Sequence, residues 1–360
     1  MSTDEQFNII YKNVRPNNSD KFKIGIIGAG NIVENSHLPT YIKENLKVTN
    51  IFDLSEDRAR NLQNRFKIDK LSKSIDEFFD NNNFDIVDIA VPAEYNEELI
   101  KKTLRRNKNI LIQKPLSNNI NSAKRIINEY NNYDLKINVN HQMRYSPAIR
   151  AAKYILKKNY LGKILKFKIY THRKTDWSIW PWLENIDYPE LRYNSIHYLD
   201  SIRYLFGEPL SIKANLLSSK NEIKNKPTNL FVNLNFTNQL SGNLNITHDN
   251  NLSKEKWKAG YEIIGEKGKC SGIISSMIGN GFDFNDKISI NFLHDNRSIN
   301  LEKTLVGRWF SESFAGPIFS LIDSIQNNYE ADTNIFDAFK TLNLVETVIK
   351  SHTSQSWVNL

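Results

Sequence analysis

A glycine-rich turn at the end of a short apolar run is the most restrictive feature of this chain. Residues 22–27 are apolar and lead into Gly28-Ala29-Gly30-Asn31-Ile32-Val33, after which a helical pattern begins. The first two positions of a G-x-G-x-x-G fingerprint are met, and Val33 stands at the third. Gly28 permits a tight turn out of the strand, and Gly30 lets the backbone approach a pyrophosphate held at the helix N-terminus. Val33 bears only on helix-to-strand packing. A G-x-G turn alone occurs in many loops, so its context carries the reading: strand before, helix after, and a continuing alternation of the two.

Apolar runs at residues 47–52, 84–91, 109–113 and 136–140 alternate with helical patterns at 56–66, 74–79, 96–106 and 121–131. Strands and helices alternating at short intervals predict a parallel, doubly wound sheet over residues 21–142. From about residue 143 the rhythm changes. After a helix at 147–158, segments 162–171, 230–236, 241–247, 260–265 and 287–292 resemble half-exposed strands, and a helix at 335–351 closes the chain. Period-two strands with few helices between them predict an open antiparallel or mixed sheet with one covered face, in a second domain over 143–360. No linker separates the two parts, so a shared cleft is expected. Residues 1–20 show little periodicity and read as a polar tail.

Composition removes several classes. The chain has 360 residues, room for two domains, with 40% hydrophobic and 24% charged residues, which excludes disorder and small disulfide scaffolds. No apolar run approaches the roughly 20 residues of a membrane span, and residues 1–20 lack a signal peptide's apolar stretch. Cys270, the single cysteine, forms neither an internal disulfide nor a zinc site by itself. A cytoplasmic, metal-free globular protein with no membrane partner is expected. The net charge of +8 is scattered. Its densest groups, Lys101-Lys102 with Arg105-Arg106 and residues 163–168, fall within helical or strand-like periodicity, so solvated faces account for them and no nucleic-acid partner is expected.

Asp53 ends the second strand, 25 residues after Gly28, and Leu54-Ser55 rather than a basic residue follows it. A carboxylate there accepts hydrogen bonds from a ribose diol and repels a 2′-phosphate, which favours NAD over NADP. Capping of the helix beginning near Ser55 is the competing role. Lys114, between Gln113 and Pro115, lies at the carboxyl end of a parallel strand, where ligands of such sheets bind. Its ammonium suits stabilisation of an alkoxide. Downstream, Tyr193 and His197 are four apart on a helix whose buried stripe is Ile196, Leu199, Ile202 and Leu205-Phe206 and which ends at Gly207. An imidazole is suited to removing a hydroxyl proton near neutral pH. A packed core histidine is the alternative, and the other six histidines lack such a neighbourhood. Three of the six tryptophans fall within Asp176-Trp177-Ser178-Ile179-Trp180-Pro181-Trp182. Trp177 and Trp182 are candidates for a sugar face, a subunit interface or a core, with Lys174 or Asp176 near a sugar's hydroxyls.

Taken together, these residues resemble the Gfo/Idh/MocA oxidoreductases. The similarity runs from about Phe22 to the end of the chain. It is carried by the Gly28 turn with His37-Leu38-Pro39, Asp53, Val91-Pro92, Gln113-Lys114-Pro115, Arg144-Tyr145-Ser146-Pro147, His197-Tyr198-Leu199-Asp200 and Gly207-Glu208-Pro209. The resemblance implies an N-terminal Rossmann domain and a C-terminal α/β domain on a large open sheet. It implies hydride transfer between NAD(P) and a sugar, polyol or related hydroxyl compound. Lys114 matches the lysine of the family's Glu-Lys-Pro motif, and His197 matches the histidine of its Asp-x-x-x-His arrangement. Cofactor contacts are expected at Gly28, Gly30, Asn31, Ile32, Asp53, Val91, Pro92, Gln113 and Arg144, and substrate contacts at Lys114, Asp176, Trp177, Trp182, Asn194 and His197. Tyr193 is expected to orient a neighbouring substrate hydroxyl.

The departures are specific. Gln113 replaces the usual glutamate and is expected to raise the positive potential beside Lys114. Tyr193 stands where many members carry aspartate, Glu190-Leu191-Arg192 replaces glycines, and Asn96 occupies a common histidine position. They leave open a glycoside-processing enzyme with transient redox and a non-catalytic NAD-binding sensor. A homodimer or homotetramer is expected from the uncovered sheet face.

Overall fold

The structure is a computed structural model that describes residues 9–80, 83–173, 175–218, 223, 226–248, 257–276, 285–294 and 297–360. It divides into two compact units. One comprises Asn13–Gln142 with Phe314–Leu342; the other comprises Met143–Ser313 and Asn343–Leu360 with the described residues up to Lys12. Boundaries fall between Lys12 and Asn13 and between Gln142 and Met143. The chain then returns: residues 314–342 pack with the first unit, whereas the second domain is expected from the sequence to run unbroken to residue 360.

The first unit is built on β1 (Lys23–Ile27), β2 (Lys47–Phe52), β3 (Lys70–Leu71), β4 (Ile86–Ile89), β5 (Asn109–Gln113) and β6 (Ile137–Asn140). Their order is β3-β2-β1-β4-β5-β6 and every pairing is parallel, the doubly wound arrangement of a Rossmann domain. Helices α1 (Leu38–Lys43), α2 (Glu56–Phe66), α3 (Ile75–Asp80), α4 (Asn96–Arg105) and α5 (Ile120–Tyr130) connect the strands. Because helices cover such a sheet, its strands read as continuous apolar runs, and all four residues of β4 are buried. One apolar cluster joins Ile89, Ile100, Ile112, Ala123 and Val139, and another joins Ile24, Ile26, Leu38, Tyr41 and Ile51. Each buried aliphatic side chain contributes about 1.5–3 kcal/mol. Helix α5 starts where the Asn119 side chain accepts a hydrogen bond from the Ser122 amide.

In the second unit, α6 (Pro147–Lys157) begins with Ser146 as N-cap and Pro147 in the first turn, and α7 spans Ile196–Phe206. The sheet contains β7 (Ile164–Arg173), β8 (Ser211–Ser218), β9 (Pro227–Asn235), β10 (Ser241–Thr247), β11 (Trp257–Gly265), β12 (Gly268–Ile273), β13 (Asp286–His294), β14 (Arg297–Leu305) and β15 (Val358–Asn359). Their order is β14-β13-β12-β11-β7-β10-β9-β8-β15; only β10 with β7 is parallel. Leu230, Val232, Leu234 and Phe236 are buried as their spacing predicts, on the face that packs against Ile149, Ile155, Leu199 and Ile202. Among the described residues the opposite face is uncovered, with a concavity of about 630 Å³ lined in part by Tyr170, Glu262, Lys269, Ser271, Lys287 and Glu302.

Strands β8, β12 and β14 and helix α8 (Ala315–Asn327) are not among the elements expected from the sequence. The polar tail also needs correction. Ile9 and Tyr11 are buried in the core of the second unit, and the Tyr11 hydroxyl accepts a hydrogen bond from the Val306 amide at 3.3 Å. A period of two places both side chains on one side of an extended segment, a signal too short to separate from a loop. Helix α9 (Ile335–Ser354) precedes the last strand, β15, and the division between units falls within it. Among the described residues no helix is long and apolar enough to cross a membrane.

Candidate active site

In the first unit the turn after β1 has the required geometry. Gly28 adopts φ +111°, and a Cβ built there falls 2.9 Å from the Ala90 carbonyl carbon, closer still to its oxygen, and 3.3 Å from Val91 Cγ1. Glycine is the residue that fits. Val91 is thereby placed against the turn, and Pro92 begins the short helical turn Ala93–Tyr95. At Gly30 a Cβ meets no atom within 4 Å. Asn31 and Ile32 start the helical segment that Val33–His37 continues into α1.

Asp53 does two local jobs. One carboxylate oxygen accepts from the Ala29 amide at 2.7 Å, and the other accepts from the Ser55 amide at 2.7 Å. It therefore ties the glycine turn to the end of β2 and caps the approach to α2. Each oxygen retains a second lone pair for a ribose hydroxyl. An open-sided glycine, a positive-φ glycine that nothing larger replaces, and a carboxylate at the end of β2 together fit a dinucleotide.

Lys114 follows β5 directly. Gln113 is buried, and its side chain turns toward His37 rather than simply removing charge beside Lys114: the amide nitrogen is 2.7 Å from His37 Nε2. The Gln113 oxygen accepts from the Lys114 backbone amide at 3.2 Å. His37 Nδ1 lies 2.6 Å from Asp88 Oδ2, which also accepts from the Tyr41 hydroxyl at 2.7 Å. Burial first, and then the Asp88 charge, hold the Tyr41 phenol well above its ordinary value. Asn96 donates to the carbonyls of Pro115 at 3.1 Å and Leu116 at 3.2 Å. The chain around Lys114 is thus pinned on both sides.

In the second unit, His197 on α7 is 2% exposed, its ring 5.2 Å from that of Trp309. Tyr193 meets Trp182 edge to face at 4.9 Å, and Trp182 is 38% exposed. Trp177 takes the core role among the three left open: it is buried with Leu183 and Ile223 and stacks on His248 at 5.3 Å. Asp176 is exposed and caps the short turn Trp177–Ile179 through Ser178, whose hydrogen bonds lower its carboxyl below the usual range. Lys174 lies outside the described residues.

Two buried ion clusters were not expected. Glu190 is fully buried, pairs with Arg173 at 2.8 Å and with His248 at 3.0 Å, and accepts from Asn194 and Ser195. Burial alone would raise its carboxyl, yet Arg173, His248 and these hydrogen bonds hold it at about 2. Asn194, expected at the substrate, donates here to Glu190 at 3.0 Å. Arg144, expected at the cofactor, is paired bidentately with Asp200 at 2.6 Å through Nε and Nη2, which holds the turn before α6 onto α7. His37 and His248 both sit in polar networks, contrary to the reading that only His197 has a suggestive neighbourhood. One signal was available: Asp88 is a carboxylate flanked by Val87 and Ile89 inside an apolar run, and a buried charge requires a partner.

The glycine turn, the acidic residue after β2 and the lysine after β5 define a dinucleotide-binding α/β protein. Residues 22–141 match the family model described as oxidoreductase family, NAD-binding Rossmann fold, and residues 153–360 match that family's C-terminal alpha/beta domain. The chain belongs to the Gfo/Idh/MocA oxidoreductase family. It is 26% identical over 197 residues to myo-inositol 2-dehydrogenase of Thermotoga maritima, covering 52% of this chain and 55% of that protein. It is 22% identical over 198 residues to D-apiose dehydrogenase of Rhizobium rhizogenes, covering 55% and 57%. The chain spans about half the length of the curated relatives it matches, 43%, 62% and 55% of the first three. Among solved structures, levoglucosan dehydrogenase in complex with NADH superposes with a TM-score of 0.81 at 17% identity, covering 94% of this chain and 98% of that one. An oxidoreductase from Agrobacterium radiobacter in complex with NAD+, L-tartaric acid and magnesium gives 0.79 at 19% identity, covering 94% and 98%. At these identities the structures speak for the fold.

Proposed function

We propose that this protein is an NAD-dependent dehydrogenase or ketoreductase acting on a hydroxyl or keto carbon of a sugar, polyol or sugar derivative. The observation that carries the reading is the position of Lys114. It lies at the carboxyl end of β5, in a sheet ordered β3-β2-β1-β4-β5-β6 whose first turn contains Gly28 at φ +111°. Ligands of such sheets bind outside the carboxyl ends of the strands. Inositol, apiose and levoglucosan appear in the names of relatives and neighbours, which supports a carbohydrate-like substrate.

The residues of the Gly28–Ile32 turn, with Val91 and Pro92, would hold the dinucleotide, and Asp53 would receive its ribose. Bound NAD supplies a hydride acceptor, or in reduced form a donor. In the oxidative direction His197 takes the substrate's hydroxyl proton as general base, Lys114 steadies the developing alkoxide with its ammonium, and Tyr193 orients an adjacent hydroxyl. Trp182, the more exposed of the two candidate tryptophans, is available for the apolar face of a sugar. We further propose that the uncovered face of the nine-stranded sheet joins copies into a homodimer or homotetramer.

The test is a panel of polyols, aldoses and nucleotide sugars read by reduced-nicotinamide absorbance with NAD and with NADP. Lys114→Ala and His197→Ala should each lose about 10²- to 10⁴-fold in turnover while still binding NADH. Turnover near that of the unaltered protein in either variant refutes the corresponding role.

A further inference from the structure

From the hydrogen-bond chain that ends at Lys114, we infer that His37 and Asp88 are positioning residues for the lysine, acting on it through the Gln113 side chain. The inference rests on the reading of Lys114 as catalytic. Strands β4, β5 and β6 and the helical segment that ends at His37 contribute to the chain, and its direction follows from donor chemistry. Two side-chain amide nitrogens face His37 Nε2, that of Gln113 at 2.7 Å and that of Asn140 at 3.2 Å. An NH₂ group only donates, so Nε2 is the acceptor and the ring proton sits on Nδ1, donating to Asp88 Oδ2 at 2.6 Å. With its nitrogen committed to His37, Gln113 presents its oxygen to the Lys114 backbone amide at 3.2 Å. The result is one directional series: Lys114 N–H to Gln113 Oε1, Gln113 Nε2–H to His37 Nε2, His37 Nδ1–H to Asp88. Each link polarises the next in the same sense.

The network is sealed. His37, Asp88 and Asn140 are at most 1% exposed, Tyr41 donates to the same Asp88 oxygen, and the Phe314 ring lies 5.3 Å from the imidazole. Asp88 is the only charged group among these partners, and Tyr41, Gln113 and Asn140 are neutral. A glutamine at 113 therefore matches a neutral imidazole. A carboxylate there would set an acceptor against the Nε2 lone pair and require a second proton on His37. What the series delivers is a fixed peptide plane at Lys114, and with it the direction in which the lysine side chain leaves the strand. Asn96 fixes the carbonyls of the next two residues.

Two substitutions cut different links without stranding Asp88. Gln113→Met keeps the volume, and Asn140 still donates to His37. His37→Asn places a side-chain N–H where Nδ1 donates to Asp88 and leaves nothing at Nε2. The readout independent of turnover is competitive acetylation of Lys114 by trace acetic anhydride across pH, quantified by mass spectrometry against exposed Lys47 in the same sample. Both variants should change the relative reactivity of Lys114 by about threefold or more and lower kcat by roughly tenfold with NADH affinity and KM little changed, since small misplacement of a reacting group is costly. Added to Lys114→Ala, neither should lower kcat further. Unchanged Lys114 reactivity in both folded variants overturns the inference, as does a kcat loss that multiplies with that of Lys114→Ala. If Lys114→Ala itself keeps full turnover, the catalytic reading fails, and the acetylation profile still decides whether the network orients the lysine.

Discussion

Two glycines of one turn should respond in opposite ways to the same methyl group. Gly28 is held at φ +111°, and its added Cβ would press into the Ala90 carbonyl. A non-glycine residue held in such a region costs on the order of 1–3 kcal/mol, before any displacement of strand β4 is counted. For a unit of this size each kcal/mol lowers Tm by about 2–4 °C, so Gly28→Ala should lose roughly 2–12 °C. Gly30 has nothing within 4 Å of its Cβ and no left-handed backbone. Gly30→Ala should leave stability unchanged or raise it by about 0.4–1 kcal/mol, by restricting the unfolded chain. The same methyl would stand where the pyrophosphate must approach. Losing one charge-assisted hydrogen bond to it costs about 1.5–3 kcal/mol, roughly 10- to 100-fold in Kd. Differential scanning fluorimetry without ligand, paired with NADH fluorescence titration, reads both effects. A Gly30→Ala protein that binds NADH as tightly as the unaltered chain, or a Gly28→Ala protein that melts at the same temperature, would refute the assignment of this turn.

Asp53→Ser should weaken NAD binding by roughly tenfold and narrow the preference over NADP, because the charge that repels a 2′-phosphate is gone; unchanged Kd values for both dinucleotides would count against the ribose role. Glu190 lies near 2 in the folded chain against an ordinary 4.5, so its stabilisation is complete above about 4.5 and is lost as pH falls toward 2. Glu190→Gln should lose about 3–5 kcal/mol at neutral pH and show a flatter acid limb in chemical unfolding; parallel acid limbs for the two proteins would exclude this linkage. Arg144→Ala leaves Asp200 buried without its bidentate partner and should lose about 3–5 kcal/mol of stability. If instead it melts normally and only NADH binding falls, the cofactor role replaces the structural one.

The fold was legible wherever burial is periodic. Strands β2 and β5, helix α2 and strand β10 have the bounds their hydrophobic patterns predict, because a two-sided or one-sided core leaves its period in the side chains. Strands β12 and β14 escaped. β12 carries Lys269, Ser271 and two glycines, and β14 alternates Glu302, Lys303 and Thr304 on faces with little to bury. Helix α8 lacked a charged face to mark it, since Ile318, Phe319, Leu321 and Ile322 are all buried.

The candidate site divides in the same way. Gly28, Asp53 and Lys114 lie at strand ends as the sequence predicts, because order along the chain encodes strand ends directly. His37, Asp88 and Gln113, like Arg173, Glu190 and His248, acquire partners only when elements distant in sequence are packed together. A buried charge or amide must find a complementary group, but hydrophobic periodicity says where a side chain is buried and not which polar atom it meets there. Sequence alone therefore determined the two domain classes and the glycine turn. Tertiary packing decided that Gln113 faces an imidazole, that Arg144 holds Asp200, and that Trp177 lies in a core.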